Sequence, residues 1–261
     1  MSDLPDAFYL PAGADRYEPT RATESPWDSG SQHGGPPTAL LAHAIDATAG
    51  PGLRLARITM DFLGPIPRRE VRIEVSPVKP GRLVSLSEAR MIVDGRTAVT
   101  ARAWHIATGP PPPATGEPIA PPAPPEAVTI PEPAPELEGW GYGESVEWRF
   151  DEGGHGTPGL ARVWTRVRVP LIAGEDMTGL ARTLVVADSA NGLSAVLPFQ
   201  EWLSIPPSMT TTLLRVPEGE WVHMDCRTHL APDGIGLAQA TLCDSEGHLG
   251  EVAQPLLVRE R

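Results

Sequence analysis

The chain has 261 residues, a formal charge of −12 and 41% hydrophobic residues. It is long enough for two cores of ordinary size and too acidic for a surface that draws its affinity from phosphate contacts. It also lacks the run of roughly 18 to 20 apolar residues that a membrane helix needs, so neither nucleic acid nor membrane insertion is expected.

The first predicted element is a helix opened by His33-Gly34-Gly35-Pro36-Pro37 and continued over Thr38 to Thr48. Proline is tolerated in a first turn because its missing N–H would be unpaired there anyway. Ala39, Leu40, Leu41, Ala42, Ala44 and Ile45 cover nearly every face, which predicts a helix wrapped by other structure. Alternation then predicts strands over Val71 to Val75, Val84 to Val93 and Thr97 to Ile106, the last two joined by the hairpin dipeptide Asp94-Gly95.

Residues 109–139 hold twelve of the 31 prolines, a composition that predicts an extended, solvated linker between a unit at 1–108 and a unit at 140–261. In the second unit, Met177 to Leu197 reads as another buried helix, carrying Leu180, Leu184, Val185, Val186, Leu193 and Val196. Strands follow at Trp221 to Cys226, Gly236 to Cys243 and His248 to Val258, with a turn at Ser245-Glu246-Gly247. Shifting by about 151 residues sets Ile58 to Trp104 beside Met209 to Pro255, and the elements run in the same order. One buried helix followed by long antiparallel strands, twice over, is most simply packed as a sheet curled around each helix. That is an α+β, double hotdog architecture, the alternative being helices lying on open sheets.

Several chemistries are disfavoured by missing motifs. There is no Gly-x-Ser-x-Gly elbow, no dinucleotide fingerprint and no Walker loop. The seven histidines show no metal-ligand spacing, and Cys226 and Cys243 lie in alternating segments where a thiol packs as a small hydrophobe. Neither a metal site nor a disulfide framework is expected. The opening Met-Ser-Asp-Leu-Pro-Asp has no basic leader or apolar signal core, which points to a cytoplasmic protein.

Asp188 interrupts Leu184-Val185-Val186-Ala187, where an uncompensated carboxylate is costly. It is a candidate base, or a residue that meets solvent or bonds Ser189 or Asn191 locally. Gln254, in a mostly apolar final strand, could donate and accept at once, or could be an edge residue meeting water. The run Ser208-Met209-Thr210-Thr211-Thr212 offers hydroxyls on both faces of a strand. His33-Gly34-Gly35 at a helix start offers free N–H groups and a positive dipole end to a thioester oxygen, though glycine also serves unusual backbone angles.

These pieces resemble the TesB-like acyl-CoA thioesterases, across both halves. The likeness rests on Gln32-His33-Gly34-Gly35-Pro36-Pro37, Asp61-Phe62-Leu63-Gly64-Pro65-Ile66-Pro67 read as a strand, Ala187-Asp188-Ser189-Ala190-Asn191-Gly192, and Pro217-Glu218-Gly219-Glu220-Trp221. The resemblance implies that a helix aspartate, a strand hydroxyl and a glutamine near the C-terminus hold an attacking water. Asp188 matches the aspartate and Gln254 the glutamine. Counting back from Arg215 puts the hydroxyl near Pro206, leaving Ser208 or Thr210 to supply it.

The reading is then an acyl-CoA thioesterase of lipid metabolism, with an oxyanion site at His33, Gly34 and Gly35. It needs no cofactor, since coenzyme A is part of the substrate, and the resemblance implies a homo-oligomer. Arg54, Arg57, Arg68, Arg69, Arg90 and Arg182 are available for the nucleotide end. The alternatives are a non-catalytic acyl-CoA binder and an enoyl-CoA hydratase, the latter lacking an aspartate–histidine pair near Asp188.

Overall fold

A computed structural model describes residues 4–114, 116, 117, 119–128 and 139–261. The N-terminal part comprises strands β1 (Tyr9–Pro11) and β2 (Arg16–Pro19), helix α1 (Gly35–Asp46), and strands β3 (Leu53–Phe62), β4 (Val71–Lys79), β5 (Val84–Val93) and β6 (Arg96–Ala107). The C-terminal part opens with the short helix α2 (Gly141–Glu144), strands β7 (Val146–Glu152) and β8 (Ala161–Val167), and helices α3 (Gly179–Ala187) and α4 (Ala190–Leu193). Strands β9 (Trp202–Ile205), β10 (Ser208–Leu213), β11 (Trp221–Leu230), β12 (Ile235–Asp244) and β13 (Gly247–Glu260) complete it.

The strands join one antiparallel sheet in the order β1-β2-β4-β5-β6-β3-β10-β13-β12-β11-β8-β7, with β9 alongside β13. Read outward from the β3–β10 pair, the two halves are the same series. At that centre Thr59 pairs with Thr210, its counterpart in the repeat, and their hydroxyls lie 3.0 Å apart. Thr59 also pairs with Arg102 on β6, as Thr210 does with Ala253 on β13, so the repeat holds residue by residue and sets Ala103 opposite Gln254. Alternation makes these strands: along β13, Val252, Gln254, Leu256 and Val258 turn inward while Glu251, Pro255 and Leu257 face out. The β5–β6 hairpin closes on Asp94 and Gly95, both at positive φ, as a two-residue turn matching the strand twist requires.

Inside the sheet α1 and α3 lie antiparallel against each other, with Leu40, Leu41, Ile45, Leu184 and Val185 fully buried. Gly35 sets how closely they approach, because a Cβ there would stand 1.9 Å from the Val185 carbonyl oxygen. This is the expected double hotdog, with strands β1, β2, β7 and β8 added at the two ends of the sheet.

Three local expectations change. The second helix does not run from Met177 to Leu197: α3 stops at Ala187, Asp188 caps it, and α4 is one further turn. Ser194 leaves helical geometry at φ −110°, ψ 25°, and the Asn191 side chain is drawn to Ser204. Of Asp61 to Pro67 only Asp61 and Phe62 are strand. Pro65 and Pro67 have no N–H for a ladder, and the carbonyls of Ile66 and Pro67 instead accept hydrogen bonds from Gln32. Finally, residues 119–128 of the proline-rich segment are not a free connector. The buried Trp164 indole N–H donates to the Ala123 carbonyl at 2.7 Å, and Arg149 donates to that of Pro125 at 3.2 Å. Residues 115, 118 and 129–138 of that segment lie outside the described residues.

Candidate active site

The site forms where the start of α1 meets the end of α3. The Gln32 amide anchors the approach to α1, accepting from the Tyr9 hydroxyl at 2.8 Å and donating to the Pro67 carbonyl at 3.0 Å, while His33 N–H donates to Thr23 O at 2.7 Å. The Gly35 N–H donates to His33 Nδ1 at 3.2 Å, and Pro36 and Pro37 contribute no donors. Gly34 N–H is therefore the N-terminal donor of α1 with no partner among the described residues. At Gly34 a Cβ would stand 2.8 Å from Asp188 Oδ2 and 3.0 Å from the Phe62 ring, so any side chain there would displace the carboxylate or the ring.

Asp188 is held from the other side. Asn191 N–H donates to Gln254 Oε1 at 3.1 Å, which fixes the orientation of that amide. Its Nε2 then faces Asp188, donating to Oδ1 at 2.9 Å and to the backbone oxygen at 3.3 Å. Gln254 is wholly buried and the Asp188 side chain is 9% exposed, so the amide compensates a carboxylate that would otherwise be desolvated without a partner. With Oδ1 committed, Oδ2 faces Gly34 and lies 3.4 Å from His33 Nδ1. Asn191 extends the network, donating to Ser204 O at 2.8 Å and accepting from Ser204 Oγ at 2.9 Å.

An aromatic wall closes the rear. Tyr142 stacks on His33 with centroids 3.9 Å apart and planes at 12°. Its hydroxyl donates to Val185 O at 2.9 Å and receives Ser189 Oγ at 2.8 Å. Burial pushes the Tyr142 phenol well above its ordinary pKa, so it stays protonated. Burial also lowers the His33 pKa, with the Asp188 charge opposing, which leaves the resting ring neutral at pH 7. Neither cysteine offers a thiolate: burial pushes Cys226 far up and Cys243 up to about 11.

The structure thus brings together His33, Gly34, Asp188 and Gln254, with Gly35 one residue away and its N–H turned to His33. It does not bring Ser208 and Thr210 to them. Met209, Thr211 and Leu213 are the buried residues of β10, so Ser208 and Thr210 face the opposite side of the sheet, where Thr210 meets Thr59. The apolar parity of Met209 and Leu213 carried that signal in the sequence. The hydroxyl that joins the network is Ser204, which lies beyond the Pro206-Pro207 break and reaches it through Asn191. Tyr142, just past the proline-rich segment, also went unpredicted; it reaches the site because Gly141 N–H and the Trp140 indole both bond Glu24 in the N-terminal part. Of the candidate arginines, Arg69 and Arg90 pair with acidic residues, and Arg54, Arg68 and Arg182 bond backbone carbonyls.

Among the described residues no helix is long and apolar enough to cross a membrane, and no group of three His, Cys, Asp or Glu is placed to hold a metal ion. The sequence matches the model of the acyl-CoA thioesterase N-terminal domain over residues 23–106 and that of the C-terminal domain over residues 121–258. No curated protein matches it. Similar solved structures include a hot dog fold protein of unknown function from Alicyclobacillus acidocaldarius, with TM-score 0.74, 18% identity and 98% and 97% of the two chains covered. A tesB protein of Mycobacterium avium subs paratuberculosis has TM-score 0.69 and 18% identity over 96% of each chain. An acyl-CoA thioesterase II from Mycobacterium marinum has TM-score 0.68 and 14% identity over 97% and 96%. The two domain models cover most of the chain in the order of its structural repeat, and the chain belongs to the acyl-CoA thioesterase family as a double hotdog thioester hydrolase.

Proposed function

We propose that this enzyme hydrolyses an acyl-CoA thioester by direct attack of a water molecule polarised by Asp188 Oδ2. The water gives a proton to the carboxylate as its oxygen bonds the carbonyl carbon. The C–S bond then breaks, and the coenzyme A thiolate leaves with the electron pair and recovers the proton. Gly34 N–H, at the positive end of α1, is the donor assigned to the developing oxyanion; one such donor supplies roughly 2.7–4 kcal/mol in other acyl-transfer sites. Gln254 holds the carboxylate in place and has no N–H left for the water. Ser204, and not Ser208 or Thr210, completes the polar network.

The observation that carries this reading is the Gln254 Nε2 to Asp188 Oδ1 bond of 2.9 Å in a nearly dry site beside an unpartnered helix N–H. Arg68, whose backbone N–H pairs with Gly30 close to His33, keeps a guanidinium bonded to a carbonyl, and its charge is assigned to the nucleotide end. The test is a panel of acyl-CoA esters followed by free-thiol release. Asp188→Ala is expected to lower kcat by about 10²–10⁴; tight binding with no release by the native protein would make it an acyl-CoA binder instead.

A further inference from the structure

Trp27 has surroundings that the fold does not account for. Trp140, Trp148 and Trp164 each donate the indole N–H to a backbone carbonyl, as tryptophans that hold structure do. The Trp27 indole N–H has no such partner among the described residues, and the residue is 47% exposed. Its ring meets the Phe199 ring edge-on, with centroids 5.0 Å apart, and the Arg261 guanidinium, 5.1 Å from its centroid. Both of these partners come from the C-terminal half.

The loop that carries Trp27 is cross-braced and leads straight to the site. Trp27 N–H donates to Ser25 Oγ at 3.2 Å, Ser25 N–H to Ser31 O at 2.9 Å and Ser31 N–H to Asp28 O at 3.0 Å, so little order remains to be imposed when a ligand arrives. Gln32 and His33 follow, and then Gly34, the donor assigned to the oxyanion. The stretch from Trp27 to Gly34 spans at most roughly 25 Å even fully extended. The folded loop is shorter, which keeps Trp27 within reach of an acyl-CoA whose carbonyl lies at Gly34.

Charge selects the kind of flat ligand that fits. Arg68 donates its backbone N–H to Gly30 O and its Nε–H to Ser29 O, which sets its guanidinium beside the same loop. The Arg261 guanidinium, over the ring itself, donates to Phe199 O at 2.9 Å and forms no ion pair among the described residues. The Asp28 carboxylate, held by Ser31 Oγ and Gly30 N–H, offsets part of the Arg68 charge. A half-open indole with two guanidinium groups near it suits a ligand that joins a base to phosphates, because bases stack on aromatic faces and arginine pairs with phosphate oxygens. An acyl chain has no use for either charge.

We infer that Trp27 is the stacking platform for the adenine of coenzyme A, with Arg261 and Arg68 beside it for the phosphates. The enzyme then separates coenzyme A thioesters from thioesters of pantetheine alone, which present the same acyl group and the same sulfur.

This inference rests on the proposed hydrolysis, and the test separates the two. One acyl group is presented on coenzyme A and on pantetheine, and the ratio of the two kcat/KM values is measured for the native enzyme, Trp27→Leu and Trp27→Tyr, with thermal unfolding confirming that each is folded. Leucine keeps an apolar contact with Phe199 but has no flat face, whereas tyrosine keeps one. The native ratio is expected to favour coenzyme A, to fall at least about fivefold in Trp27→Leu through KM, and to stay within about twofold of native in Trp27→Tyr. A native ratio near unity overturns the platform, and so does a ratio that Trp27→Leu leaves unmoved while both substrates slow together, which would make Trp27 a prop for the loop. Should Trp27→Leu not fold, Trp27→Ala is read by the same ratio. Calorimetric binding of coenzyme A and of pantetheine gives the same comparison without turnover. If the native protein releases thiol from neither thioester, the hydrolytic reading falls, while a binding ratio that still drops in Trp27→Leu keeps the platform.

Discussion

At one end of the antiparallel α1–α3 pair the start of α1 meets the end of α3; at the other end the roles are exchanged. The repeat makes the backbone alike, yet the chemistry differs. At the first end Gly35 brings the helices into contact, and the Asp188 carboxylate is buried and clamped by Gln254. At the second end the helices part around a cleft of about 190 Å³ lined by residues that include His43, Asp46 and Thr178. The strand position equivalent to Gln254 is Ala103, which has nothing to offer a carboxylate. Asp46 does bond His105 Nε2 at 3.1 Å, but its side chain is 46% exposed, so water competes for it. The lesson is that a helix-end aspartate is held fixed and nearly dry only when burial and a dedicated amide act together, and here one half of the repeat has both.

The most damaging way to break this contrast is to open the first end. Gly35→Ala puts a methyl group 1.9 Å from the Val185 oxygen, which is backbone and cannot rotate aside. Overpacking of this kind costs about 1–3 kcal/mol or more, so the urea midpoint should fall and hydrolysis should be lost with it. Native-like stability would show that the helix pair is not set by this contact.

Gln254→Leu strikes the clamp without touching the helices. It leaves Asn191 N–H and Asp188 Oδ1 buried without partners, a cost of about 1–3 kcal/mol in chemical denaturation. The carboxylate also loses its fixed position, and kcat should drop about tenfold to a hundredfold. Ser204→Ala removes one hydrogen bond to Asn191 and should lower kcat by about threefold to tenfold, in line with a bond worth roughly 0.5–1.5 kcal/mol.

The smallest effects should come from the comparison groups. Thr210→Val, on the outer face, and Asp46→Asn, at the solvated helix end, should each leave kcat/KM within about twofold and stability within about 1 kcal/mol. A large loss from Thr210→Val would mean that the water is held from the other face of the sheet. A large loss from Asp46→Asn would mean that the second end also works.

Much of this was legible along the chain. Val84–Val93 and the Asp94-Gly95 turn were bounded correctly because strand alternation and positive-φ turn chemistry are local properties. Asp188 and Gln254 stood out because each is polar in an apolar run, and a buried polar group needs a partner wherever that partner lies. Ser208 and Thr210 were misplaced because choosing a strand face requires knowing which neighbours lie inside. Ser204 sits before a two-proline break, where alternation cannot be carried across from β10.

The sequence by itself determined the family, the doubled order of helix and strands, and the two polar residues that do not belong in a core. The family came from a resemblance carried by four short motifs, while the other two follow from periodicity and composition within short windows. Only the tertiary structure decided that Asp188 and Gln254, 66 residues apart, share a bond, that His33 faces the same carboxylate, and that Tyr142 crosses between halves to hold the ring. Those contacts depend on how closely two helices approach and on the register of β10 with β13, quantities fixed by the packing of the whole sheet and not by any segment within it.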